Sequence, residues 1–169
     1  MTTSSFPLSA LIFVIALVTV AILPAKLGAQ ADTCPVTQAP VPAFAPPVGN
    51  TTPVAGGFFY GTSKLWVQVR PHQRPLDNFI RQKIVWWSEG YDWTANPHPA
   101  LTISGRRLDG AAPALSVDKN VDGSYDVNGS YRDDMGSFIM SAVNFPTRGC
   151  WEITGKLNGT ELKFVVSLE

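Results

Sequence analysis

The chain has 169 residues, 45% of them hydrophobic, and its 13 basic residues are balanced by 13 acidic ones. That length holds one domain and a processing segment. With charges balanced, no basic stripe remains to grip phosphates, which argues against nucleic acid as a partner.

The first element is "LSALIFVIALVTVAILPA", Leu8 to Ala25, apolar apart from two Ser/Thr positions and Pro24. Its run before the proline matches a signal-peptide core and is short for a membrane span. Ala29-Gln30-Ala31 then fits the small-x-small cleavage rule, so a signal peptide over 1–31 is expected. No Lys or Arg precedes the core, and the alternative is an uncleaved N-terminal anchor, the one route to a membrane. Either way the remainder faces an extracytoplasmic space, secreted, periplasmic or at the cell surface. Removing the segment costs only Lys26, leaving 12 basic against 13 acidic residues, a net charge near −1.

Cys34 and Cys150 are the two cysteines. An even count in an exported chain predicts a disulfide, here between the N-terminal arm and the far end of the domain. Loop-closure entropy over so long a span gives up to about 4–5 kcal/mol. A nucleophilic Cys150 would need His72 or His98 as its base, and neither lies in a catalytic context.

"PVTQAPVPAFAPPVGNTTPVAGG", Pro35 to Gly57, has no helix or strand periodicity and is expected to be an extended, partly polyproline-like arm within residues 32–57. From residue 58 to 169 the chain reads as short strands between turns. "KLWVQVR" alternates, with Leu65, Val67 and Val69 on one face. "RQKIVWW", "ALTISG", "APALSV" and "GSFIMSAVNF" follow. In the last of these Phe138, Met140 and Ala142 oppose Ile139, Ser141 and Val143. "CWEITGKL", Asn158-Gly159 and "ELKFVVSL" form a hairpin signal, placing Leu162, Phe164, Val166 and Leu168 toward a core. No sustained helical period appears. About seven short strands predict an all-β, antiparallel β-sandwich of immunoglobulin-like type, lacking the usual inter-sheet disulfide because Cys34 lies in the arm.

"GGFFYGTSKLWVQV", "IVWW", "LTISGRRLDG" and "FPTRGCWEITGKLNGTELKFVVSLE" together resemble a group of uncharacterised exported bacterial proteins. Its members share a "YGN-x-LW" start, "PWW", "GRRLD" and a C-terminal "FPTxGCWEVTG…L-x-FV". The resemblance runs from about Cys34 to the C-terminus. It departs at "VWW" and in a longer, more acidic stretch around Asp118 to Asp134. The resemblance implies an exported β-rich domain and carries no activity.

Four constellations bear on function. In "VWWSEGYDW", neighbouring strand residues point to opposite faces, so Trp86 and Trp87 cannot share one core. Either both are buried, one in the sandwich and one under the arm or the 91–100 loop, which is the expected case. Or an outward Trp86 or Trp87 joins Tyr91 and Trp93, with Glu89 and Asp92 near, as a ligand-binding platform for glycans or a protein partner. In "DKNVDGSYDVNG", Asp118, Asn120, Asp122, Gly123 and Asp126 match positions 1, 3, 5, 6 and 9 of a calcium loop. Position 12 is Gly129 and the flanks read as strands, so an EF-hand is excluded. A looser calcium site completed by Asp133 or Asp134 is one reading, and a plain Asp122-Gly123 hairpin between "ALSV" and "SYDV" is the expected one. In "GRRLDG", Arg106 and Arg107 either bind an anion or, as expected, pair with Asp109 or an acid on a neighbouring strand. His72 and His98 lie among prolines without a third metal ligand.

No nucleotide loop, zinc motif or nucleophile elbow appears. The reading is an exported, non-enzymatic binding or structural module of unknown ligand, with no cofactor unless calcium. The alternatives are a carbohydrate-binding module on the aromatic platform and an extracytoplasmic hydrolase.

Overall fold

Asn158 and Gly159 both adopt positive φ, 49° and 78°, the backbone pair that a two-residue type I′ turn requires. The hairpin they close sets the register of the last two strands. In the computed structural model, residues 34–47, 52–74 and 80–169 are described; the expected signal segment, 1–31, lies outside them. The described residues belong to one compact unit, Asp32–Glu169.

Its strands are β1 (Phe58–Gly61), β2 (Leu65–Val69), β3 (His72–Gln73), β4 (Arg81–Ser88), β5 (Thr102–Arg107), β6 (Ser116–Val117), β7 (Val127–Arg132), β8 (Gly136–Asn144), β9 (Gly149–Leu157) and β10 (Thr160–Leu168). The first sheet runs β1-β2-β4-β8, with β6 and β7 following one another along the outer edge of β8. The second runs β3-β10-β9-β5. All pairs are antiparallel except β3 with β10.

The protein is therefore the expected β-sandwich, with ten strands among the described residues rather than about seven. β1, β3 and β7 are the additions. "FFYG" and "HQ" are too short to alternate visibly. "VNGSYR" carries an Asn-Gly that reads as a turn. The expected hairpin between "ALSV" and "SYDV" is also rearranged: β6 and β7 pair with β8, not with each other. Ala142 accepts the Asp118 amide at 2.9 Å and donates to the Asp126 carbonyl at 3.3 Å, so residues 119–125 loop out as a small hairpin. The Asp122-Gly123 turn lies at its tip, with Gly123 at φ 85°. Lys119 bridges Tyr125 across it.

Alternation decides what each face buries. Leu65, Val67, Val69, Ile84, Trp86, Ile139 and Val143 of the first sheet meet Trp151, Ile153, Phe164 and Val166 of the second. All four of Leu162, Phe164, Val166 and Leu168 are buried, as the pattern predicts. A second apolar cluster covers the outer face of the first sheet. Phe59, Trp66, Trp87 and Phe138 are buried there, with Phe44 of the arm packed against them. Trp66 and Trp87 are register partners and stack with 3° between their planes.

The arm makes that second burial close. The structure joins Cys34 to Cys150 on β9, with Cα atoms 5.4 Å apart. Thr37 then binds Val165 twice, its amide donating to the carbonyl at 2.9 Å and its hydroxyl accepting the amide at 2.7 Å. These bonds occupy the edge of β10 just before β3 takes over. Further on, Phe44 reaches Trp66. The Pro-rich segment is thus a strap from one sheet's edge to the other sheet's outer face.

One strand changes sheets. β2 lies in the first sheet and β3, two residues later, in the second. Pro71 sits between them, without an amide to extend the first ladder, and its carbonyl accepts the Ser167 amide at 2.7 Å. β2 therefore pairs with β4 only over Leu65–Val67 against Trp86–Ser88. Beyond that point the two strands separate.

Candidate functional site

The separation of β2 from β4 leaves a slot through the first sheet. Gln68, Val69 and Arg70 line one side, and Gln82, Lys83, Ile84 and Val85 the other. Its inner end reaches Phe145, Ile153 and Phe164 of the core, and its outer end passes Met135 and Met140. The enclosed space is about 280 Å³. A neighbouring hollow of about 270 Å³ shares Val54, Gln68, Arg132 and Met135 with it, so the two form one cleft. Phe59 and Trp87 line that hollow, and Arg132 and Asp134 stand at it, paired at 2.7 Å.

The slot has an apolar depth and a polar mouth. Arg70, Lys83 and Arg132 bring positive charge and Gln68 and Gln73 bring amides, while Gln82 shares the inward face of β4 with Ile84. The Gln73 amide nitrogen is committed to the Arg70 carbonyl at 3.1 Å. Among the described residues neither Arg70 nor Lys83 has a carboxylate within ion-pair distance. Such a lining supplies apolar contact, hydrogen bonds and charge, the chemistry of recognition.

The aromatic residues singled out in the sequence do not share a surface. Trp86 is fully buried in the sandwich, where its Nε1 donates to Ser141 Oγ at 3.1 Å. Trp87 points the opposite way, buried in the outer cluster with its Nε1 donating to the Met135 carbonyl at 3.1 Å. Tyr91 and Trp93 lie in the loop that crosses β7, against Gly129. That loop protects the sheet edge, since Pro97 accepts the Gly129 amide at 2.7 Å. The Tyr91 hydroxyl donates to the Asn96 carbonyl at 2.8 Å, and burial, followed by the Asp92 charge, raises its pKa. Trp93 is 38% exposed. The case in which both Trp86 and Trp87 are buried is the one found. Only Trp87 lines the cleft, as part of its floor.

The acidic segment is held by cations and amides of the protein itself. Arg81 Nε donates to Asp118 at 2.5 Å and its Nη2 lies 3.5 Å from Asp126. Asn144 donates to the other Asp118 oxygen, and Asn128 to Asp126 at 2.6 Å. Asp122 turns back on Ser124, accepting its hydroxyl at 2.6 Å and its amide at 2.9 Å, bonds that hold its pKa below the usual carboxylate range. Asn120 donates to Ser124 Oγ and the Tyr125 carbonyl. Among the described residues no three His, Cys, Asp or Glu are grouped to hold a metal ion. A guanidinium occupies the position that a shared cation would take between Asp118 and Asp126.

The remaining candidates are spread out. Arg106 pairs with Glu152 on β9 at 2.9 Å, and Arg107 with Asp109 at 2.6 Å. His72 on β3 meets Glu169 at 3.0 Å, whereas His98 meets Asn128 at 3.1 Å in the loop over β7. Sequence reasoning missed Arg70, Gln82 and Lys83. Their signal was Pro71 ending an alternating run, which marks a strand that leaves its sheet. No family model matches the chain, and neither a curated protein nor a solved structure does.

Proposed function

We propose that this chain is an exported, non-enzymatic binding module whose ligand enters the cleft between β2 and β4. The observation that carries the proposal is the slot itself, an apolar depth opening through a cationic, amide-bearing mouth. The Cys34–Cys150 bond fits an oxidising compartment, as do the signal-like N-terminus and the resemblance of "FPTRGCWEITG" to exported bacterial proteins. The strap, held to β10 through Thr37 and to Trp66 through Phe44, supports a preformed site, which lowers the cost of binding.

The test is a thermal-shift panel of amphiphiles, short peptides and glycans on the oxidised protein, repeated on Val85→Phe. Val85 lines the slot and is only half-buried, so a phenyl ring fills space without opening the core. A ligand that raises the melting temperature of the parent and not of Val85→Phe is the expected result. Stabilisation by glycans unaffected by Val85→Phe would place binding elsewhere and defeat the proposal.

A further inference from the structure

We infer that the cleft takes an anionic single-chain amphiphile, its head at Arg70 and Lys83 and its tail against Ile153 and Phe164. The inference rests on the proposed binding role and names the ligand's chemistry.

The two ends of the slot differ in kind. At the inner end Ile84, Phe145, Ile153 and Phe164 present only hydrocarbon. These walls favour an apolar group over solvent, the Gln82 amide being the polar side chain that shares the inward face of β4 with Ile84. At the mouth Arg70 and Lys83 are exposed cations, and among the described residues neither has a carboxylate partner and no acid lines the slot. Asp134, the carboxylate of the adjoining hollow among the described residues, is held by Arg132. A cationic head would therefore meet like charge, and an anionic one finds an unneutralised guanidinium and ammonium. The strands fix this polarity. Ile84 points inward on β4 and Lys83 outward, so one strand supplies both the apolar wall and the charge. A space of about 280 Å³ suits one chain and not a two-chain lipid.

An exposed cation contributes modestly to affinity and strongly to sign selection. Tail burial then sets affinity, and head charge sets preference. The experiment is calorimetric titration of the oxidised protein with decanoate, decyltrimethylammonium and decanol, each below its aggregation threshold, at low and high salt. Decanoate is expected to bind at least tenfold tighter than the ammonium analogue, with the advantage shrinking at high salt. Arg70→Glu with Lys83→Glu is expected to abolish or reverse that preference with little change in melting temperature, both side chains being exposed. Val85→Phe is expected to weaken all three ligands. Equal binding of decanoate and decanol, unchanged in the Glu variant, overturns the anionic assignment and leaves the binding role standing. No binding of any amphiphile overturns the inference; silence across the wider panel as well overturns the binding role too.

Discussion

Gly155 makes room for Trp86. A Cβ at that position would stand 2.5 Å from two atoms of the indole ring, and the ring has no slack because it lies at the centre of the sandwich. Gly155→Val is expected to lose about 1–3 kcal/mol in chemical denaturation, the usual cost of overpacking. Ser141→Ala leaves the buried Trp86 Nε1 without its acceptor and is expected to cost about 1–3 kcal/mol. Polar surface residues act through pH instead. Arg107 holds the Asp109 carboxyl below its usual value, and Thr94 and Ser124 do the same for Asp92 and Asp122. Each folded-state pKa lies below the ordinary value of an aspartate, so each contribution is present above that ordinary value and is lost as pH falls through the folded one. Stability is expected to hold from neutral pH to roughly pH 4 and then decline. Asp109→Asn should flatten part of that decline, and an unchanged acid limb would contradict the pairing. Residue-scale burial was legible where alternation is strict, as in β10. The roles of Ser141 and Gly155 were not, because each depends on a ring delivered by another strand.

At the scale of elements, the strap and the small hairpin depend on few contacts. Phe44→Ala removes the arm's ring from Trp66 and is expected to cost about 1–3 kcal/mol with a red shift in tryptophan emission. Emission and stability both unchanged would mean that the strap does not seal the outer cluster. Arg81→Ala leaves Asp118 and Asp126 facing each other without their shared cation. The hairpin's amides, Asn120 and Gly123 among them, are then expected to exchange faster, at a global cost of about 1 kcal/mol. The β9–β10 hairpin was readable because its turn and both strands are adjacent in sequence. β3 was hidden because its two residues are ordered by β10, nearly a hundred positions away. The calcium-like spacing was visible, but its pairing with Arg81 was not, since that needs the register of β4 against β8.

The whole molecule combines a sandwich, a strap and a gap. The strand that crosses from one sheet to the other fastens them at β3 and opens the slot beside β4. The Cys34–Cys150 bond, spanning 116 positions, ties the strap to the opposite sheet. Replacing both cysteines by serine is expected to cost about 2–5 kcal/mol, by the usual range for native disulfides in small exported domains. A loss under about 0.5 kcal/mol would show that the strap holds without its covalent anchor. The fold class was legible because turn residues and alternation repeat along the chain. The cleft was not, because it is defined by strands that fail to pair.

The most direct test of a ligand entering through the strand switch is a methyl-selective NMR titration of the oxidised protein with decanoate. Saturable shifts at Val69, Ile84, Val85 and Ile153 are expected, with the methyls of Leu157 and Leu162 unmoved. Shifts confined to other surfaces, or none at saturation of the protein, would contradict the cleft as the binding site.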